Sequence, residues 1–143
     1  MGVLSDIIVA DRSEAQAIVD ARGAHERTWP VLESKGIDAA KLESLWSVLP
    51  GGKRDPTFMD SASLVYQVKG GPWISVVPPP MVRALSDVSD DALDRLAKDW
   101  AETDECRNED WSAEDVRDYL VELVAISRRA RDAQKGLLLW ICL

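Results

Sequence analysis

The segment at residues 112–143 constrains the fold most, because it joins a long amphipathic stretch to an apolar terminus. Apolar residues recur at three- and four-residue spacing after Ser112, which predicts an N-capped helix of about 22 residues with one broad apolar face. Gly136 predicts the stop of this helix. The following segment, Leu137 to Leu143, is apolar at both sets of alternating positions, which predicts a strand buried on both faces. The chain therefore ends within its own core.

The rest of the chain predicts shorter elements of both kinds, joined by a polar loop over residues 50–61 and an acidic linker over residues 102–110. Strands are predicted from Val3 to Val9, Leu64 to Val68 and Trp73 to Val77, and helices from Ser13 to Gly23, Asp38 to Leu49, Pro80 to Leu85 and Ser89 to Trp100. The chain has 143 residues, a length that is typical of a single domain. The sequence predicts a single α+β domain, residues 1–143, with a small sheet that includes the N- and C-terminal strands and four or five helices packed on it.

Acidic residues are concentrated in one part of the chain. The net charge is -8, yet residues 87–118 alone hold thirteen acids and four bases, a net of -9. An acidic surface repels nucleic acid phosphates and attracts a basic protein partner, more strongly at low salt. The alternative interpretation of the same acidic residues is that they form ordinary solvated helix surface. Seven acids form the predicted partner face: Glu102, Asp104, Glu105, Glu109, Asp110, Glu114 and Asp115.

Targeting and cysteine signals are weak. The N-terminus lacks a basic region and Asp6 interrupts its apolar run, so no signal peptide is predicted. No apolar run is long enough to cross a membrane, which predicts a cytoplasmic protein. The two cysteines, Cys106 and Cys142, fit neither a disulfide framework nor zinc spacing, so the sequence predicts no metal and no cofactor.

Catalytic motifs are also scarce. His25 is the only histidine, and its neighbour Glu26 does not face it, so we interpret it as a partly exposed loop residue. The Gly51-Gly52-Lys53-Arg54 run resembles a phosphate-binding loop, but an arginine stands where a hydroxyl is required. The sequence predicts no catalytic residue.

The six tryptophans divide into two groups. Three are in phase with apolar neighbours and predict core positions: Trp46, Trp100 and Trp140. Three lie at element edges: Trp29, Trp73 and Trp111. The edge tryptophans either pack over the core rim, line a small-molecule pocket or weak active site together with His25, or mediate a homodimer.

The order of the elements also carries a resemblance. The Leu42-x-x-Leu-Trp-x-x-Leu49 pattern is followed by Pro50-Gly51-Gly52, and later by a Val82-Arg-Ala-Leu-Ser-Asp-Val-Ser-Asp-Asp-Ala-Leu93 run. With the closing helix and apolar strand, this order resembles the YfbM-like family of uncharacterised bacterial proteins. The resemblance implies an α+β bacterial cytosolic domain and supplies no activity.

Two hypotheses of different kinds follow. The first is a non-catalytic binding protein, immunity- or antitoxin-like, whose acidic face engages a basic protein partner. The second is a small-molecule pocket around the edge tryptophans and His25, which requires these residues to meet in one cavity.

Overall fold

The fold is built on one antiparallel sheet of five strands in the order β2-β1-β5-β4-β3, within a computed structural model that describes residues 4–59 and 64–142. The strands are β1 (Leu4–Val9), β2 (Val31–Glu33), β3 (Leu64–Gln67), β4 (Trp73–Val76) and β5 (Leu137–Cys142). Both the first and the last described strand belong to the sheet, so the α+β prediction is confirmed. The sequence predicts about four strands, and the additional one is β2.

Six α-helices and two short 3-10 turns, residues 12–14 and 25–27, accompany the sheet in the described residues. The helices are α1 (Ala15–Asp20), α2 (Ala39–Val48), α3 (Pro79–Ser86), α4 (Asp90–Ala101), α5 (Asp104–Arg107) and α6 (Ala113–Asp132). Helix α5 lies in the segment predicted as an acidic linker. Its Cys106 is fully buried, and burial raises the pKa of this thiol. One apolar side chain therefore anchors the acidic turn to the core.

Strand β5 occupies the centre of the sheet. It pairs with β1 over its whole described length, from Leu137 opposite Val9 to Cys142 opposite Leu4, and with β4 on its other side. Leu139 faces the helices, whereas Leu138 faces the opposite side. The prediction of a strand buried on both faces is confirmed for its first three residues; Leu143 lies outside the described residues.

The two faces of the sheet carry layers of unequal size. Side chains from α2 to α6 build the large core on one face, around Trp100 and Leu120. Helix α6 contacts β1 and β2 and packs against α3 and α4. Ile18 of α1 and Ile74 of β4 belong to the smaller core on the other face. The broad apolar stripe predicted for α6 therefore faces both the sheet and two neighbouring helices.

The ends of α1 and α6 differ from their predictions. Helix α6 stops at Asp132, and the left-handed residue after it is Gln134 (φ 56°), not Gly136. The Lys135 N–H donates to the Ala130 carbonyl (2.8 Å), which closes the helix with the usual Schellman pattern. At the other helix, α1 itself covers Ala15–Asp20, and Arg22 and Gly23 both have positive φ, so the predicted continuation to Gly23 is wrong.

Candidate functional site

Three of the seven predicted partner-face acids meet in one cleft. Glu102, Asp104 and Glu105 line a cavity of about 360 Å³ between α2 and α5, which we name the α2–α5 cleft. Glu43 of α2 and Asp55 of the following loop add two further carboxylates. Hydrogen bonds from the Thr57 hydroxyl and backbone N–H lower the pKa of Asp55. Arg54 is the only cation among the residues that line this cleft.

A second cavity, the α3–α4 groove, continues the acidic surface along α4. It has a volume of about 510 Å³ and carries Asp87, Asp91 and Asp99 with the single cation Arg95. Its apolar lining comes from six residues of α2, α3, α4 and their connections: Val48, Pro50, Ala84, Val88, Ala92 and Leu96. The groove therefore combines an apolar floor with an acidic rim.

We name the carboxylates that line these two cavities the acidic face. The acidic face consists of Glu43, Asp55, Asp87, Asp91, Asp99, Glu102, Asp104 and Glu105. Both cavities border α2, and the residues Asp91 to Glu105 that follow one another along α4 and α5 supply the other wall of each. Within residues 4–59 and 64–142, none of these eight carboxylates forms an ion pair. The lining itself holds only two cations, Arg54 and Arg95, and Lys53 acts on Asp55 from nearby, so the acids outnumber the cations and the surface attracts cations.

Glu109, another predicted partner-face acid, has an internal role. Its carboxylate pairs with Lys41, whose side chain is only 1% exposed. The Lys41 ammonium also donates to the Gly36 carbonyl and lies 4.7 Å from the centre of the Trp111 ring. A buried charge is costly without partners, so Glu109 and Trp111 stabilise the fold at this position.

The last three predicted acids occupy the connection to α6. Glu114 and Asp115 are exposed in the first turn of that helix, where carboxylates complement the helix dipole. Asp110 precedes them in the left-handed conformation (φ 57°). None of the three lines the α2–α5 cleft or the α3–α4 groove. The seven acids thus divide into a cleft group, one structural partner of Lys41 and a helix-start group.

His25 is buried rather than partly exposed, which corrects the sequence interpretation. Its side chain is 1% exposed, and its Nε2 lies 2.6 Å from Asp6 Oδ2 on β1. The ring also contacts Trp140 of β5, with centroids 4.7 Å apart. The His25 Nδ1 has no hydrogen-bond partner among the described residues. The sequence signal for this pair was Asp6 itself, an acid within an apolar strand. A carboxylate that is largely removed from water requires a polar partner, and His25 provides it.

The histidine opens onto a third cavity, the His25 cleft, of about 370 Å³. Trp140 forms its aromatic wall, and Lys35 is its only lysine. The acids in its lining are Asp6, Glu26 and Glu33. This cleft lies on the side of the sheet where Asp6 and Trp140 face each other across the strands.

The edge tryptophans do not join His25 in that cleft. Trp29 donates from Nε1 to Glu14 (3.2 Å) and packs on the smaller core. Trp111 belongs to the other face, in an aromatic cluster with Trp100 and Tyr119. Trp73 pairs with Ile141 across β4 and β5, which places it by strand alternation on the helix side of the sheet. The four residues proposed for one pocket are therefore divided between two faces.

The core tryptophans match their predictions unequally. Trp100 is fully buried, and its Nε1 donates to the Ser44 hydroxyl (3.0 Å). Trp46 and Trp140 are half-buried. Trp46 stacks on Phe58 with ring centres 4.6 Å apart and planes within 7° of parallel. The spacing of apolar neighbours identified the elements that carry these tryptophans as core elements, but it did not predict how deeply each ring is buried.

In the part of the chain that the structure describes, no three metal-ligating side chains are grouped closely enough to hold an ion. Residues 4–59 and 64–142 also contain no helix with the length and apolarity that crossing a bilayer requires. Comparisons with protein families, curated proteins and solved structures found no match to this chain. The resemblance to the YfbM-like family therefore stays a prediction.

Proposed function

We propose that this protein is a non-catalytic binding protein whose acidic face engages a basic protein partner. The observation that carries the proposal is the arrangement of eight carboxylates without ion pairs along two neighbouring cavities in the described chain. Such a surface raises the local concentration of a cationic partner and accelerates encounter. The proposed partner surface therefore differs from the seven acids predicted from the sequence, because only three of those seven belong to the acidic face.

The α3–α4 groove supports a more specific form of this proposal. Its apolar floor and acidic rim match an amphipathic segment with leucine-like side chains on one side and lysine or arginine on the other. The aliphatic stems of lysine and arginine cover apolar surface while their charged ends reach carboxylates. Asp91 and Asp99 lie about two turns apart on the same helix. A partner segment that runs along the groove therefore meets a carboxylate at two points. The α2–α5 cleft then holds a further cationic side chain.

An immunity- or antitoxin-like role uses these features directly. A protein that neutralises a cationic toxin must capture it rapidly and cover its basic surface. The free, buried thiol of Cys106 is compatible with the reducing cytoplasm, where we place the protein. On the basis of the family resemblance, we also propose that the protein is bacterial.

The experiment uses a synthetic amphipathic peptide of leucine and lysine and measures its affinity by fluorescence anisotropy. We expect saturable binding that weakens as salt rises, because surface charge interactions are screened within about 8 Å at physiological ionic strength. Charge reversal by Asp91→Lys with Asp99→Lys should weaken binding by about tenfold or more. A scrambled peptide of the same composition should bind less tightly.

The matched control is Asp20→Lys with Glu122→Lys, which changes the net charge equally but lies outside both acidic cavities. We expect the control to retain affinity within about twofold, apart from the general field effect. Equal losses in both double variants would show that only the total charge matters. No saturable binding at low salt would contradict the proposal.

A second candidate function is small-molecule binding in the His25 cleft. The favouring observation is the buried Nδ1 without a hydrogen-bond partner in the described chain, since most buried polar atoms are hydrogen-bonded and a ligand could supply the missing partner. Three carboxylates and an indole favour a small ligand that is cationic and donates hydrogen bonds. Imidazole nitrogen resonances of His25 test this directly: a small amine that fills the cleft must shift them, and unchanged resonances across an amine series would rule it out.

A further inference from the structure

A fourth cavity, the α3–α6 pocket, lies on the other side of α3 from the α3–α4 groove. It has a volume of about 410 Å³ and is bounded by the end of β4, by α3 and by the turn after α6. This volume lies within the roughly 300–1,000 Å³ that is usual for small-molecule sites. The turn is fixed by the Schellman closure at Gln134 and by Gly136, whose N–H donates to Asp11 Oδ1 (3.2 Å). The pocket is therefore preformed on rigid elements.

The floor of this pocket is apolar. It is formed by four residues that surround the start of α3: Val76, Val77, Pro79 and Val82. Val77 and Val82 are almost fully buried, whereas Pro79 is exposed at the mouth. Burying an apolar ligand here removes its surface from water at roughly 25 cal/mol per Å². The floor therefore supplies affinity without selecting charge.

The rim selects charge, and it is cationic in an otherwise acidic protein. Arg83 of α3, Arg131 of α6 and Lys135 of the following turn line the pocket, against the single acid Asp87. Arg83 forms no ion pair within the described residues. Arg131 contacts its exposed neighbour Asp132 (3.2 Å), an exposed pair of the kind that contributes little energy. Both arginines can therefore turn their guanidinium groups toward a ligand.

Lys135 is held differently. Its ammonium lies 2.9 Å and 3.0 Å from the two carboxylate oxygens of Glu14. That carboxylate also accepts hydrogen bonds from Trp29 Nε1 and the Asp11 N–H. Lys135 therefore marks a fixed edge of the pocket, and the two arginines supply the charge that is available to a ligand.

We propose that the α3–α6 pocket binds a small amphipathic carboxylate, with its apolar chain on the valine floor and its carboxylate between Arg83 and Arg131. The planar guanidinium presents paired N–H donors that match a carboxylate, which favours this anion over a neutral polar group. The inference is independent of the acidic face, because a basic protein partner and a carboxylate ligand require rims of opposite charge.

Isothermal titration calorimetry with decanoate, below its micellar concentration, tests the proposal on the full chain. We expect one saturable site for decanoate, weaker binding of decanol at that site, and no competition between decylamine and decanoate, since a cation prefers the acidic cavities. Arg83→Gln with Arg131→Gln should reduce decanoate affinity by about tenfold or more, since two charge-assisted contacts are removed. Pro79→Asp, which places a carboxylate at the exposed mouth, should weaken binding as well.

The matched control is Lys98→Gln with Arg107→Gln, which removes two exposed cations that line none of the four cavities. Decanoate affinity should remain within about twofold of the parent value after this change. Circular dichroism verifies that each variant is folded. The proposal is overturned if decanoate shows no saturable site, if decylamine displaces decanoate from its site, or if both double variants lose the same affinity.

Discussion

Helix α3 separates two cavities of opposite charge. The α3–α4 groove on one side carries three aspartates and one arginine, and the α3–α6 pocket on the other carries three cations and one aspartate. Both have apolar floors, and Asp87 lines both. The difference comes from the second wall: α4 supplies carboxylates to the groove, whereas the end of α6 supplies cations to the pocket. One helix thus borders two cavities whose charged rims are opposite in sign.

The charges that distinguish the two cavities also stabilise their own helices. Asp91 lies in the first turn of α4, and Arg131 in the last turn of α6. Acids near a helix start and cations near its end complement the helix dipole. The two helices are antiparallel, because Arg117 near the start of α6 contacts Asp94 (2.5 Å), while Arg128 further along contacts Val88 before α4 (2.5 Å). The charges that complement the helix dipoles therefore also give the two sides of α3 rims of opposite sign.

The α3–α4 groove and the α3–α6 pocket depend on the same sheet and core. Removing the central strand β5 should therefore abolish both cavities together. Deletion of residues 139–143 takes away four of the six residues of β5, which pairs with β1 and β4. We expect no cooperative unfolding transition for this variant, because β1 and β4 lose their shared neighbour. Circular dichroism with urea provides the measurement. A truncated protein that unfolds like the parent would contradict the central position of β5.

A single substitution in the same core should have the next largest effect. Trp100→Ala removes a fully buried indole and its hydrogen bond to Ser44, and we expect a loss of about 3–5 kcal/mol in the free energy of unfolding. Trp46→Ala provides the comparison, since Trp46 is half-buried on Phe58, and should cost distinctly less. Urea unfolding followed by circular dichroism measures both. Equal losses would show that helical phase alone determines the energetic role of each tryptophan.

The comparison becomes sharpest when both ligands are measured on both double variants. Asp91→Lys with Asp99→Lys should lower affinity for the basic peptide by about tenfold and leave decanoate within about twofold. Arg83→Gln with Arg131→Gln should do the reverse. If each double variant weakens only its own ligand, the two cavities beside α3 act independently, because a change in total charge would alter both affinities together. Anisotropy and calorimetry under identical salt conditions provide the four values.

The smallest expected effect concerns the edge of the α3–α6 pocket. Burial opposes ionisation of Glu14, but hydrogen bonds from the Asp11 backbone, Lys135 and Trp29 together lower its pKa below the ordinary value of 4.5. A lowered folded-state pKa gives stability that is present above the unfolded value and is lost as the pH falls through the folded value. We expect Glu14→Gln to cost about 1 kcal/mol near neutral pH.

The difference between Glu14→Gln and the parent should then shrink on acidification, as the pH falls below about 4.5. Urea unfolding of both proteins at a series of pH values measures this convergence. Gln16→Glu, a neighbouring exposed site, supplies a control that adds an acid outside this network. A difference that stays constant through the acidic range would contradict the role of the Glu14 carboxylate.

Local patterns predicted the parts of the fold that depend on periodicity. The apolar spacing of α6 and the continuous apolar run of β5 predicted a helix and a central strand, and both are observed. Pairs that are distant in sequence were not predictable in the same way. His25 and Asp6 are 19 positions apart, and Lys41 and Glu109 are 68 apart. No local period specifies which of the many acids each of these buried side chains, His25 and Lys41, approaches, because strand register and helix packing decide it.

The candidate site shows the same division. Charge counting correctly located an acid-rich segment, and Glu102, Asp104 and Glu105 line the α2–α5 cleft. It could not separate these from Glu109, whose carboxylate is used to pair with a buried lysine. It also missed Glu43, which comes from α2 and reaches the cleft only through helix packing.

Chemical-shift mapping with the basic amphipathic peptide tests the central claim most directly. Backbone amide resonances are recorded as the peptide is titrated, first at low and then at physiological salt. Our account predicts shifts confined to α4, α5 and the adjoining parts of α2 and α3, decreasing as salt rises. Shifts that are spread over the whole surface, or that centre on the β2 edge of the sheet, would contradict it.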